Sequence, residues 1–67
     1  MRTKLKVLRI KHGWSQKDFA ERLGLTAAAY SFIETGKRFG SSKTWKKIKE
    51  IYNLKDKEMW DIQHENN

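Results

Sequence analysis

The sequence predicts an all-α fold, a bundle of five short helices made by 67 residues. Two observations carry that expectation. Apolar residues recur at helical spacing in one stretch after another: Leu5 and Leu8, then Phe19, Ala20 and Leu23, then Tyr30 and Ile33, then Trp45, Ile48, Ile51 and Tyr52. Between these stretches stand residues that start helices (Ser15, Thr26, Ser41, Ser42) and residues that stop them (Gly13, Gly24, Gly36, Asn53).

The first helix is expected from Thr3 to about His12, with Leu5 and Leu8 inward and Val7 a further candidate. Lys4, Lys6 and Lys11 point outward, and Gly13 ends the helix. Ser15 offers a hydroxyl cap to the second helix, with Asp18 three residues on in a near capping box. Gly24 stops that helix at no steric cost, and Thr26 starts the third. Two short helices joined by a tight Gly turn must cross steeply, and the small Ala20 falls where they come closest. This is the geometry of a helix-turn-helix over about residues 16–35, whose second helix can enter a major groove.

Ser41 or Ser42 can cap the fourth helix, which turns Trp45, Ile48, Ile51 and Tyr52 inward and Lys43, Lys46, Lys47 and Lys49 mostly outward. Asn53 can supply a left-handed stop, and Leu54 anchors the turn. Lys55 or Asp56 then opens a fifth helix ending near Trp60 or Ile62, Asp56 being chemically the better cap. The domain is thus expected over residues 3–62, with 63–67 a polar, frayed tail.

Gln16, Ala20, Gly24, Tyr30 and Ile33 stand at the spacing met in the helix-turn-helix of the Cro and phage-repressor (XRE-like) family of bacterial DNA-binding proteins, which the chain resembles. The likeness runs without gaps from about Leu5 to Trp60. It implies a compact five-helix Cro/repressor-type domain, with the fifth helix capped at Lys55. It implies an ion pair between Arg9 and Glu34, bridging the first helix to the end of the third. Trp14 takes a position that is usually apolar in the family, and so belongs to the core. The chain departs from the pattern at Gly40, where Pro is usual, and at Ser42, often apolar. The loop Phe39–Ser42 is therefore expected to be looser than in typical relatives.

The resemblance also places a DNA-facing set: Gln16, Thr26, Ala27, Ala28, Ser31, Phe32, Lys37, Arg38 and Lys43. Gln16 opens the second helix, where a side-chain amide and the helix dipole both favour a phosphate oxygen. Ala27, Ala28, Ser31 and Phe32 are the outward positions of the third helix. Family members commonly carry Arg, Gln, Asn or Ser at the first two, the side chains that bond guanine or adenine edges. Ala and Phe can only touch thymine methyls. Readout would then rest on phosphate contacts from Lys37, Arg38 and Lys43, with methyl contacts and DNA shape supplying modest specificity. The alternative is a protein-interaction module on the same fold, such as an antitoxin or antirepressor partner.

Charge supports the nucleic-acid reading. Residues 1–49 hold 13 Lys or Arg against Asp18, Glu21 and Glu34, a net of +10, whereas residues 50–67 carry a net of −3. Other classes find no support. There is no Cys, and His12 and His64 are isolated, so no metal site or cofactor is expected. No base or oxyanion-forming turn accompanies a Ser nucleophile, so no enzyme is expected. No apolar run spans a membrane and no secretory segment follows Met1. No small-molecule ligand is implied.

The expectation is a small bacterial or phage-encoded transcriptional regulator, cytoplasmic, acting by occupying an operator in double-stranded DNA. Phe39, Met59, Trp60 and Ile62 exceed what so small a domain easily buries, so a homodimer with a two-fold interface near the C-terminus is expected.

Overall fold

Each helix begins where a side chain can take up its free N–H groups. The computed structural model describes residues 1–65, and among them the order is α1 (Thr3–Lys11), α2 (Gln16–Leu23), α3 (Ala27–Thr35), α4 (Ser42–Tyr52) and α5 (Asp56–Gln63). Before α2 the capping box is complete: the Ser15 hydroxyl accepts from the Asp18 N–H and the Asp18 carboxylate accepts from the Ser15 N–H, both at 3.0 Å. The Thr26 hydroxyl caps α3 by accepting from the Ala29 N–H at 3.1 Å, and Ser41 rather than Ser42 does the same for α4 from Thr44. At α5 the cap position is Lys55, not Asp56. The Glu58 carboxylate reaches back to the Lys55 N–H at 2.9 Å, while Asp56 pairs with Lys49.

The stops are as expected: Gly24, Gly36 and Asn53 follow α2, α3 and α4 in left-handed conformations. Gly13 closes the turn after α1.

The inward stripes of all five helices meet in one core of Leu5, Phe19, Ala20, Leu23, Tyr30, Ile33, Trp45, Ile48 and Ile62. Phe19 lies at its aromatic centre, stacked on Trp14 at 5.5 Å and edge-on to Tyr30 at 5.1 Å, with Tyr52 also at 5.1 Å. Pairs of this kind add about 0.5–1.5 kcal/mol beyond their burial. Trp14 is half-buried against this core, and the Arg22 guanidinium lies 4.3 Å from its ring centroid.

Val7, the further candidate for the core, is instead 42% exposed. Ile10, one turn on, lies open with it on the solvent side of α1. At the other end of the chain Ile62 is drawn fully into the core and Met59 packs partly against it, leaving only Trp60 of the three open to solvent.

The loop between α3 and α4 is tethered rather than loose. Trp45 Nε1 donates to the Phe39 carbonyl at 2.7 Å, and the Arg38 N–H donates to the Phe32 carbonyl at 3.1 Å. Gly40 sits at φ +92°, which Pro, fixed near −65°, cannot adopt, and a Cβ there would meet Ile33 Cδ1 at 3.0 Å. Glycine is therefore built into this path of the chain.

The strongest tether comes from Arg2, which the sequence reading counted only among the basic charges. Arg2 is 6% exposed. Its guanidinium donates to the Ile33 carbonyl near the end of α3, to the Arg38 carbonyl at 3.0 Å, and to the Gln63 carbonyl at the end of α5. A cation at two helix C-termini is favoured by the dipoles as well as by the bonds. The Phe39 and Trp45 rings cover it, with centroids 5.4 and 5.5 Å away.

The region beyond residue 62 is also tied in. α5 runs through Gln63, and the Glu65 carboxylate accepts from the Lys4 N–H at 3.1 and 3.3 Å, capping α1 from outside. Asn66 and Asn67 lie outside the described residues.

Candidate nucleic-acid interface

The site is built on the pair that locks α1 to α3. Arg9 Nε donates to Glu34 Oε2 at 2.9 Å and Arg9 Nη2 to Glu34 Oε1 at 3.2 Å, a two-bond contact. A third bond runs from Arg9 Nη1 to the Trp14 carbonyl at 2.7 Å. Burial alone would raise the Glu34 carboxyl, but hydrogen bonding and charge from Arg9 lead the groups that hold it below the usual range. The same bonds push Arg9 up. Burial, helped by the Glu34 charge, keeps the Tyr30 phenol protonated far above its ordinary range. The buried hydroxyls of Tyr30 and Tyr52 find no hydrogen-bond partner of good geometry among the described residues.

Gln16 joins this node. Half-buried at the first position of α2, its amide nitrogen donates to Glu34 Oε1 at 3.4 Å. An amide nitrogen has two hydrogens, so this bond uses only one of them.

On α3 the expected outward residues divide into two kinds. Ala27 and Ala28 are exposed at the start of the helix, beside an exposed Thr26 whose hydroxyl accepts the capping bond. Ser31 and Phe32 are half-buried, which corrects the view of Phe32 as an exposed groove-facing side chain. The cause lies downstream. The left-handed Gly36 turns the chain back across the last turn of α3, bringing Lys37 and Arg38 over the Phe32 ring. The Arg38 guanidinium carbon is 4.8 Å and Lys37 Nζ 5.8 Å from its centroid.

Lys37, Arg38 and Lys43 themselves are exposed. Two adjoining surface recesses join Arg38 and Lys43 to the helix-turn-helix. One is lined by Leu25, Ala29, Ile33, Arg38, Gly40, Ser41 and Thr44. The other shares Leu25, Ser41 and Thr44 with it and adds Leu23, Gly24, Lys43 and Lys47. Lys47 was read only as a solvated lysine of the fourth helix. Its amino group lies over the turn, 3.7 Å from where a Gly24 Cβ would stand. The signal was present in the sequence, since Lys43 and Lys47 are four apart on one helix face.

Among the described residues no group of three His, Cys, Asp or Glu side chains could hold a metal, and no helix is long and apolar enough to cross a membrane. His12 and His64 each bond a carbonyl one turn back, Leu8 and Trp60 respectively, at 2.9 Å.

Comparison with known proteins agrees with this geometry. A family model described as helix-turn-helix matches residues 5–58. Two curated relatives, each named an uncharacterized HTH-type transcriptional regulator of Archaeoglobus fulgidus, are 29% and 32% identical. The alignments cover 90% and 91% of this chain and 97% of each relative. No solved structure matches. With the capped α2–Gly24–α3 unit in place and this match across most of its length, the chain belongs to the XRE-type helix-turn-helix family, whose members are DNA-binding transcriptional regulators.

Proposed function

We propose that the protein is a cytoplasmic, sequence-preferring regulator that docks α3 in the major groove of an operator in double-stranded DNA. The observation that carries this reading is the arrangement of cations flanking α3. On either side of the open Ala27–Ala28 pair in the chain, Leu25 and Ala29 line surface recesses edged by Arg38 and by Lys43 and Lys47. Cations and backbone amides would hold phosphates and fix the register. The alanine methyls would meet thymine methyls, and DNA shape would supply the remaining preference. Regulation would follow from occupancy, in competition with polymerase or another regulator.

The regulator would act as a homodimer. Ile62 is spent on the core, so the interface would be aromatic: Trp60, 58% exposed, stacks on His64 at 4.3 Å, and His64 lies 6.0 Å from the exposed Phe39. A second reading, docking on a protein partner, is favoured by the lack of hydrogen-bonding side chains at Ala27 and Ala28.

Selecting bound sequences from random duplexes tests the proposal. Enrichment of inverted half-sites about 10 base pairs apart is expected for a two-fold dimer. No enrichment over the starting pool would favour the protein-docking reading.

A further inference from the structure

We infer that Phe32 is a positioning residue, an aromatic shelf that holds Arg38, and with it Lys37, in place for phosphate; this rests on the DNA-binding reading above. Three observations meet at this residue. The ring is half-buried rather than open to a groove. Two exposed cations lie over it, Arg38 at 4.8 Å and Lys37 at 5.8 Å. The backbone that carries them is fixed from both sides: the Arg38 N–H bonds the Phe32 carbonyl at 3.1 Å and the Arg38 carbonyl accepts from buried Arg2 at 3.0 Å.

The physical consequence concerns the cost of ordering. A long cationic side chain free in solvent loses rotamer freedom when it binds a phosphate, and this loss weakens binding. A guanidinium resting on an aromatic face has given up much of that freedom already, while its outer N–H groups stay in water. Phe32 thus stands at a base-reading position yet serves the phosphate contacts. Its removal should weaken binding to every duplex alike, without altering which sequence is preferred.

The test is a double-mutant cycle read on a labelled mixed-sequence duplex and a set of its sequence variants, at two salt concentrations. The proteins are wild type, Phe32→Leu, Phe32→Tyr, Arg38→Ala and Phe32→Leu/Arg38→Ala, each checked by thermal melting. Phe32→Leu should weaken binding about two- to fivefold on all duplexes, and Phe32→Tyr, which keeps the ring face, should bind as wild type. In the Arg38→Ala background the effect of Phe32→Leu should shrink toward none. A full effect of Phe32→Leu in that background overturns the shelf, as does a changed order of preferred duplexes or tighter binding by Phe32→Leu. Each of those results leaves DNA binding through Arg38 standing. An unchanged affinity and salt dependence on Arg38→Ala overturns the shelf and removes the phosphate contact assigned to Arg38 as well.

Discussion

Arg9 and Glu34 meet 25 residues apart in sequence through two parallel hydrogen bonds of 2.9 and 3.2 Å, with Glu34 only 1% exposed. The pair fixes the end of α3 against α1, and Gln16 adds the start of α2 to the same carboxylate. Removing one partner of such a contact leaves the other buried with its charge uncompensated, which costs more than the pair contributes when intact. Glu34→Gln should therefore lower stability by about 1–3 kcal/mol. Urea denaturation reads this directly, and an unchanged midpoint would show that the pair is solvated.

The same carboxylate sets a pH dependence. Glu34 has its folded pKa below the unfolded value, so its contribution is complete above the usual glutamate range and fades as pH falls through the folded value. Wild type should lose stability on this acid limb, and Glu34→Gln should lose less over the same interval. Denaturation midpoints of the two proteins across the acid range check the sign.

Ala20 is 1% exposed in the core where α2 packs on α3, and its carbonyl accepts from the Leu25 N–H across the Gly24 turn at 2.8 Å. Ala20→Leu should overpack by about 1–3 kcal/mol and push α3 away from α2. A melting curve coinciding with wild type would mean that the crossing has room to spare.

Arg2→Met keeps an unbranched stem but removes the guanidinium bonds to the Ile33, Arg38 and Gln63 carbonyls, of which Ile33 keeps the Gly36 N–H at 3.2 Å. Unsatisfied buried acceptors cost about 1–3 kcal/mol each where water cannot replace the donor. The expected signature is a lower midpoint together with faster amide exchange at Arg38, whose N–H bonds the Phe32 carbonyl. A midpoint and exchange rate equal to wild type would contradict the clamp.

What could be read in the sequence was local. Ser15, Asp18 and Thr26 act within one helical turn of themselves, so their residue types suffice to place α2 and α3. The Arg9–Glu34 pair joins distant segments and was expected only because the chain resembles a family that has it. Arg2 escaped because its burial depends on the ends of α3 and α5 converging on it, which no neighbouring residue announces. Phe32 was set outward by helical phase alone, but the Gly36 turn lays Lys37 and Arg38 over it. Ile62 and Val7 are apolar alike, and only the packing of α5 against the rest decides that one is core and the other surface. The tether of the α3–α4 loop is not legible for a related reason. Gly40 signals freedom in an isolated chain, whereas here Ile33 and Trp45 pack against it.

Ala28, open at the start of α3, offers a base edge only a methyl group. Ala28→Gln adds a donor and an acceptor suited to adenine. It should change which duplexes are preferred while leaving the salt dependence as it is. A panel of sequence variants measured at fixed salt checks this, and an unchanged order would remove Ala28 from the groove.

The central claim is that exposed cations flanking α3 hold DNA phosphates, and the slope of log affinity against log salt measures it most directly. For wild type on duplex DNA the slope should be steep. Lys43→Ala should flatten it by about 0.9 and weaken binding to all sequences alike. Binding with no salt dependence, or a slope untouched by Lys43→Ala and Arg38→Ala together, would contradict the account.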